Sequence, residues 1–412
     1  MRKALQRLAL AGAVMVTLGM VWAAAQAPIT VAGIRTSPQS RATYLARATI
    51  WHDRGTLSPA AVFEGPTGAL PYTFEQANSD EGIGCTFAQA GKELSGNSPK
   101  FLCRTADGHD LRLKYWDPET QTGNREVFAT VAATRLLWAL GFEAIPTLPI
   151  NVRCDGCPEN PMNDSGARRT RRYVAILQPT WPTPILSSND VDQGWSWLEL
   201  DSAIRSLPPG PDRARQRTYF DALTLLGVLI QHGDRKSEQQ RLYCAAPVDT
   251  AAGERRGSGD TTAMLFERPN ASACLAPAVT IVDVGATFGG AGRESNPTTA
   301  KMNLGAWERQ SVFRDAGSGP CRGDLTVSLK AGHDGEPDPV ISEDGRRFLV
   351  ERLRRLTPEH ARALFRAARV DQIVDAQRTD GTSAGVSSVD AWVAVFQDKV
   401  REIDARRCQP AN

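Results

Sequence analysis

Histidine is scarce in this chain, five among 412 residues, and no two stand at the HxxxH spacing that sets a pair of imidazoles on one helical face. That removes the usual zinc-hydrolase device. Only His232-x-Asp234 with Asp283 remains as a weaker metal-hydrolase alternative. An excess of one charge is also missing: 48 basic residues stand against 46 acidic ones. This argues against a general binder of nucleic acid or anionic membrane. There is no internal repeat, so the chain is not a repeat array. Beyond residue 25 no stretch is long and apolar enough to span a bilayer. Cys154-Asp-Gly-Cys157 has no second CxxC to complete a zinc site.

What is present begins at the N-terminus. Arg2, Lys3 and Arg7 precede an uncharged run from Leu8 to Ala25 that ends in three alanines, the pattern of a secretory signal cleaved after Ala25. An uncleaved anchor is the alternative, and only then is a membrane a partner. The expected location is secreted or periplasmic. The eight cysteines, an even set, then meet an oxidising environment, where disulfides are the default. Joining sequence neighbours gives Cys85 with Cys103, Cys154 with Cys157 and Cys244 with Cys274, leaving Cys321 with Cys408. This is one of 105 connectivities open to eight cysteines.

Residues 1–25 form the signal segment and 26–80 an Ala-, Thr-, Pro- and Ser-rich extension packed onto the main body. Residues 81–180 form a β-rich half and 181–412 a helical half. The Pro-rich stretch Gln178–Pro184 marks the boundary between the halves. In the first half, Cys85–Ala88, Lys100–Arg104 and Asp110–Trp116 read as strands separated by Gly-, Ser- and Asn-containing turns. Ala144–Val152 and Arg171–Leu177 read as further strands flanking an insertion that carries the CxxC. Val127, Phe128, Val131, Leu136, Leu137 and Leu140 recur at helical spacing until Gly141 stops them. In the second half, Thr218–Gln231, Phe348–Val370 (broken at Thr357-Pro358) and Trp392–Ile403 read as helices. Cys244–Cys274 encloses an exposed loop. The run Arg346, Arg347, Arg352, Arg354 and Arg355 reads as a solvated face, with an acidic substrate as the alternative.

The chemistry lies in residues of fixed order. Lys114 ends a strand, and Glu126 opens the next helix; such a pair positions nucleotide phosphates in kinases, the alternative being a solvated strand lysine and a glutamate that only complements the helix dipole. The helix ending near Gln231 runs into His232-Gly-Asp234-Arg235-Lys236-Ser237-Glu238-Gln239, and an apolar strand later delivers Asp283-Val-Gly285. Phosphoryl transfer asks little covalent help, but charge must be neutralised and the acceptor hydroxyl aligned. Asp234 suits the base. Gln239 and Asp283 offer oxygen ligands to magnesium or manganese, and Gly285 lets the chain turn away from the metal. His232 buttresses the loop and Arg235 pairs with an acid. The turn Gly91–Ser98, between two strands, reads on composition as a plain hairpin connection, with a nucleotide-covering loop as the alternative.

These segments resemble the atypical kinases that include the secreted Golgi casein-kinase family, the type II phosphatidylinositol 4-kinases and the bacterial HipA-type kinases. The similarity runs through Lys114-Tyr-Trp, Asn124-Arg-Glu126, Arg135-Leu-Leu-x-x-x-Gly141-Phe, Gly233-Asp234-Arg235 and Asp283-Val-Gly285-Ala-Thr-Phe288-Gly289. It implies an α+β, two-lobed protein-kinase-like fold that uses ATP with magnesium or manganese. Lys114 and Glu126 would hold phosphates, Asp234 would act as base, and Gln239 and Asp283 would be metal ligands. The γ-phosphate would pass to a protein or glycan hydroxyl. Gln239 departs from the Asn, Asp or Glu usual there, and Arg112 stands on the Lys114 face where a small residue is usual. An inactive pseudokinase acting as a binding module is therefore the alternative.

Overall fold

The chain is described from a computed structural model, which covers residues 34–35, 38–66, 72–89, 98–178, 186–187, 194–247, 274–289, 301–315, 319–325, 338–373 and 387–409. The expected signal segment, the Pro-rich boundary beyond Gln178, the loop inside Cys244–Cys274 and the Gly91 turn up to Asn97 lie outside these residues.

The elements run β1 (Ile34–Arg35), α1 (Pro38–Arg47), α2 (Pro59–Glu64), α3 (Phe74–Asn78), β2 (Ile83–Ala88), β3 (Lys100–Thr105), β4 (Asp110–Asp117), β5 (Thr122–Gly123), α4 (Glu126–Ala139), β6 (Leu148–Cys157), β7 (Arg169–Leu177) and β8 (Leu186–Ser187). They continue with α5 (Trp197–Ser206), α6 (Pro211–Leu229), β9 (Gln240–Pro247), β10 (Cys274–Ile281), α7 (Leu304–Arg309), β11 (Cys321–Arg322), β12 (Val340–Ile341), α8 (Glu343–Leu353), α9 (Pro358–Ala367) and α10 (Val389–Ala405). The fold is thus mixed α and β, with the strands gathered early and the helices dominating later.

The main sheet closes on itself. Its order is β3-β2-β6-β7-β4-β5, and β3 also pairs with β4, so β2, β3, β4, β6 and β7 form a barrel with β5 attached outside. The inward residues Phe101, Leu113, Tyr115, Ile150, Val152 and Tyr173 fill it and make a core of their own. The alternation of buried and exposed residues along β4 follows from the period-two geometry of a strand with one wet face. β6 extends through Cys154 and Cys157, which pair in register with Arg171 and Arg169 across an irregularity. The CxxC therefore completes a strand and is not carried on an insertion.

The four disulfides are Cys85–Cys103, Cys154–Cys157, Cys244–Cys274 and Cys321–Cys408. No described helix is long and apolar enough to cross a membrane.

A second, larger core unites the helices and draws in Tyr44, Leu45 and Ile50 from the N-terminal segment. That segment does more than lie on the surface. Thr49 bridges to Ala278 of β10 and Trp51 to Phe142 beyond α4. Gly141 ends α4 with a left-handed φ of +89°, and a Cβ there would fall 2.3 Å from the carbonyl oxygen of His52. Arg135, fully buried in α4, donates to the main-chain oxygens of Phe63 (3.2 Å), Glu64 (2.8 Å) and Thr147 (3.0 Å). α4 is buried nearly all round, as its mostly apolar sequence requires.

The arginine run around α8 is largely consumed internally. Arg346 is buried against Glu343 and the carbonyl of Ile403. Arg352 stacks on Phe348, Arg354 pairs with Asp404 and Arg355 pairs with Glu351.

Candidate active site

The site forms where β4, the start of α4, the loop after α6 and the loop after β10 converge. Lys114 lies on the same face of β4 as the exposed Arg112, beside the register pair Lys100 of β3. Glu126 opens α4, and its amide donates to Asn124 Oδ1 at 3.0 Å, which fixes the first turn. The two meet: Lys114 Nζ lies 3.1 Å from Glu126 Oε2 and 2.9 Å from Asp283 Oδ2. The lysine and glutamate side chains retain 17% and 7% of their exposure, and Asp283 retains 29%. Asp283 Oδ1 accepts the amide of Gly285 at 3.0 Å.

Asp234 and Gln239 stand on the adjoining loop. Gln239 Nε2 donates to Asp234 Oδ2 at 3.4 Å, and its main-chain oxygen accepts from Val282 (2.7 Å) and Asp283 (3.3 Å), stitching the two acidic loops together. The amide of Gly233 donates to Ala286 O, and that of His232 to Gly227 O. Arg235 lies 3.7 Å from the centre of the Trp197 ring. His232 is 1% exposed beside that same tryptophan. Burial, with help from the Arg235 charge, lowers its pKa to about 3, so it is a neutral packing group. Its place in the interior tells against the hydrolase alternative.

The charges are strongly coupled. Burial alone would favour neutral Lys114, but Asp283 and Glu126 outweigh it and hold the ammonium above its usual range. Burial likewise opposes ionised Glu126, yet Lys114 and Lys301 overturn that and hold the carboxyl far below its usual range. Asp234 behaves differently. Burial pushes its pKa up, Lys236 pulls against this, and the negative charges of Asp283 and Glu126 add to the rise. Asp234 Oδ1 is buried and accepts no hydrogen bond, although Lys236 Nζ stands at 3.4 Å.

Sequence patterns missed three neighbours. Lys301 also binds Glu126, through Oε1, and Ser98 donates to Oε2 at 2.7 Å. Buried Lys100 senses Lys114, Arg112, Glu126 and Asp283. Lys301 reaches the site because Met302 and Asn303 donate their amides to Thr287 O (3.1 Å) and Phe288 O (2.8 Å), zipping its segment onto the Asp283 loop. Ser98 is the last residue of the turn for which a nucleotide cover is the alternative reading. The reason for Gly285 also changes. Its φ is not in the left-handed region, but a Cβ would lie 2.8 Å from both Cβ and Cγ of Glu126. Space for the glutamate, not backbone freedom, demands glycine.

A divalent cation is tested by the donors. The carboxylate oxygens of Asp283 suit hard magnesium or manganese, and beside them Asp234 Oδ1 is a buried oxygen whose nearest cation is Lys236 Nζ at 3.4 Å and which accepts no hydrogen bond. These residues fit such an ion. Gln239 presents its amide nitrogen to Asp234, so ligation by its carbonyl would require the amide to turn over.

No family model matches this chain. No curated protein is similar to it in sequence. Among solved structures, it is similar to a Helicobacter pylori proinflammatory kinase, CtkA, at 12% identity over 77% of this chain and 92% of the other, with a TM-score of 0.34. It is also similar to the Golgi casein kinase at 10% identity over 93% and 94%, with a TM-score of 0.31.

Proposed function

We propose that the chain is an exported, two-lobed kinase-like phosphotransferase that moves the γ-phosphate of ATP to a protein or glycan hydroxyl with a divalent metal. The observation that carries this reading is Lys114 Nζ held between Glu126 at 3.1 Å and Asp283 at 2.9 Å. Residues 114, 126 and 283 are brought into one partly buried cluster from three separate segments, beside the Asp234–Gln239 loop.

Lys114 is an ammonium oriented by Glu126 and available to phosphate oxygens. Asp234 receives the proton of the acceptor hydroxyl. Its upward-shifted carboxyl is a stronger proton acceptor than an ordinary aspartate, which favours general-base work near neutral pH. The hydrogen-bonded loop around it supplies orientation, worth more than any covalent assistance here. Asp283, with Gln239 after its amide turns, would hold magnesium or manganese, which would neutralise phosphate charge when bound. The disulfides fit an oxidising compartment.

The inactive-scaffold reading keeps one specific support, the Gln239 nitrogen directed at Asp234. Incubating disulfide-intact protein with labelled ATP, manganese and a panel of proteins and glycans separates the two. Label transfer abolished in Asp234→Ala and in Asp283→Ala supports the enzyme. Nucleotide binding without transfer to any acceptor supports the scaffold.

A further inference from the structure

A cleft of about 240 Å³ opens between the barrel and α9, lined by Phe63, Phe74, Asn78, Asn151, Arg366 and Arg369 among others. None of these residues belongs to the Lys114–Asp283 cluster. Their charge is one-sided. Arg369 donates through Nη1 to Asn151 Oδ1 at 2.7 Å and through Nη2 to Asn78 Oδ1, both neutral amide oxygens. Behind it, fully buried Arg135 binds only main-chain carbonyls. Neither guanidinium makes an ion pair among the described residues. Arg366, exposed at the last turn of α9, makes none either. Asp371 acts on Arg369 only from beyond ion-pair distance.

Two further features point to a ligand. Burial lowers the pKa of Arg369 to about 10, and the Arg369 charge in turn lowers that of Arg135, behind burial itself as the main cause. Partly desolvated cations without a counter-charge are unfavourable until an anion joins them. Arg369 also adopts a left-handed backbone, φ 54° and ψ 41°, directly after the C-cap of α9. Glycine is the usual residue at that position. An arginine there carries a local conformational cost, and such outliers concentrate where a side chain is needed in one place. The guanidinium has N–H donors beyond the two its amide partners use. Exposed Gln372 adds an amide at the same cleft. Phe63 and Phe74, 4.9 Å apart edge to face, supply an apolar wall.

We propose that this cleft binds a small oxyanion, a phosphate or carboxylate borne on a ring, with Arg366 and Arg369 on the anion and Phe63 and Phe74 against the ring. The volume admits a monosaccharide or aromatic acid but not a folded partner. The site is separate from the phosphotransfer proposal and stands without it.

The test is titration calorimetry on the full, disulfide-intact chain with glucose 6-phosphate, benzoate and inorganic phosphate, the first two distinguishing phosphate from carboxylate sources. Saturable binding of glucose 6-phosphate or benzoate, weakened about tenfold or more by Arg366→Glu and by Arg369→Gln, supports the proposal; loss of a charged hydrogen bond has that scale. Arg366 is exposed, so its variant keeps the fold, which circular dichroism checks. Binding left unchanged by Arg366→Glu overturns the proposal, as does the absence of saturable binding of either ring-bearing ligand up to about 10 mM, the weak end of specific recognition. Asp234→Ala should leave this binding unchanged.

Discussion

Replacing Lys114 with methionine tests the electrostatic account of the site most directly. The methionine keeps most of the stem volume but removes the ammonium that Glu126 and Asp283 share at 3.1 and 2.9 Å. Breaking a buried ion pair by deleting one partner costs about 3–5 kcal/mol, because the surviving charge is left buried. Glu126 retains Lys301 and Ser98, and Asp283 is partly exposed at 29%. The low end, about 3 kcal/mol, is therefore expected. With an unfolding entropy near 2.1 cal/mol/K per residue, a unit of about 380 residues should lose roughly 4 °C in melting temperature.

The pH dependence gives the sign. Glu126 has a folded pKa below its unfolded one, so its contribution is complete above the ordinary glutamate range and fades as pH falls toward the folded value. Removing Lys114 takes away part of that depression. The stability gap between wild type and variant should be widest at neutral pH and narrow below about pH 4.3, the unperturbed glutamate value. Tryptophan fluorescence during guanidinium unfolding without reductant, from pH 3.5 to 7, measures it. A gap that is absent at pH 7, or equally large at pH 3.5, would refute the assigned pairing.

Other expectations follow from single contacts. Gly285→Ala should destabilise by about 1–3 kcal/mol, the usual scale for overpacking, and abolish label transfer, because its Cβ falls 2.8 Å from Glu126; unchanged melting and transfer would show that the glutamate can yield. Asp234→Asn should end transfer yet raise stability at pH 7 by on the order of 1 kcal/mol, as relief of strained functional groups often does. Because the Asp234 pKa is raised by burial, its ionised form opposes folding above the ordinary aspartate range, so the gain should vanish in acid; a gain that persists there would contradict the assignment. Removing Cys321–Cys408, which closes 87 residues, should cost about 4–5 kcal/mol on the chain-entropy scale. Removing Cys154–Cys157, which closes 3, should cost under about 2 kcal/mol on the same scale; equal denaturant midpoints for the two would reject that ranking.

The parts of the site legible in the sequence were those with a local signature. Lys114 lies within an alternating strand, Glu126 opens a helix of continuous apolar character, and Asp234 follows a helix that stops where its periodicity stops. Asp283 sits at the end of an apolar strand. Lys301 has no such mark: it meets Glu126 across 175 residues, and the pairing of Met302 with Thr287 and of Asn303 with Phe288 brings it there. Closure of the barrel was equally hidden, because the parallel pairing of β2 with β6 joins segments separated by a helix and several turns. The N-terminal segment, rich in Ala, Thr, Pro and Ser with short apolar pieces, reads in sequence as an extension. Its role depends on single bridges such as Trp51 to Phe142, which no pattern announces. Helix starts also drifted: α6 begins at Pro211, ahead of the apolar stripe at Tyr219, since proline is well suited to a first turn whatever follows it.

The charge balance of the site bears on how it is loaded. Four ammonium groups, on Lys100, Lys114, Lys236 and Lys301, face the carboxylates of Glu126, Asp234 and Asp283. Asp283 already gives one oxygen to Lys114 and the other to the Gly285 amide. A bare divalent cation would have to compete with those resident partners and join a cluster that already carries surplus positive charge. On the proposed function a polyphosphate would change the exchange, because Lys114 could turn toward its oxygens and release the carboxylate oxygens of Asp283 and Glu126 in doing so. Occupation of the site by the anion and by the cation should then each favour the other, and by linkage the coupling must be equal in both directions. Glu126 is held by two lysines: were Lys114 to move onto phosphate as proposed, Lys301 would still neutralise the glutamate at the head of α4, so the helix need not shift to keep that buried charge paired.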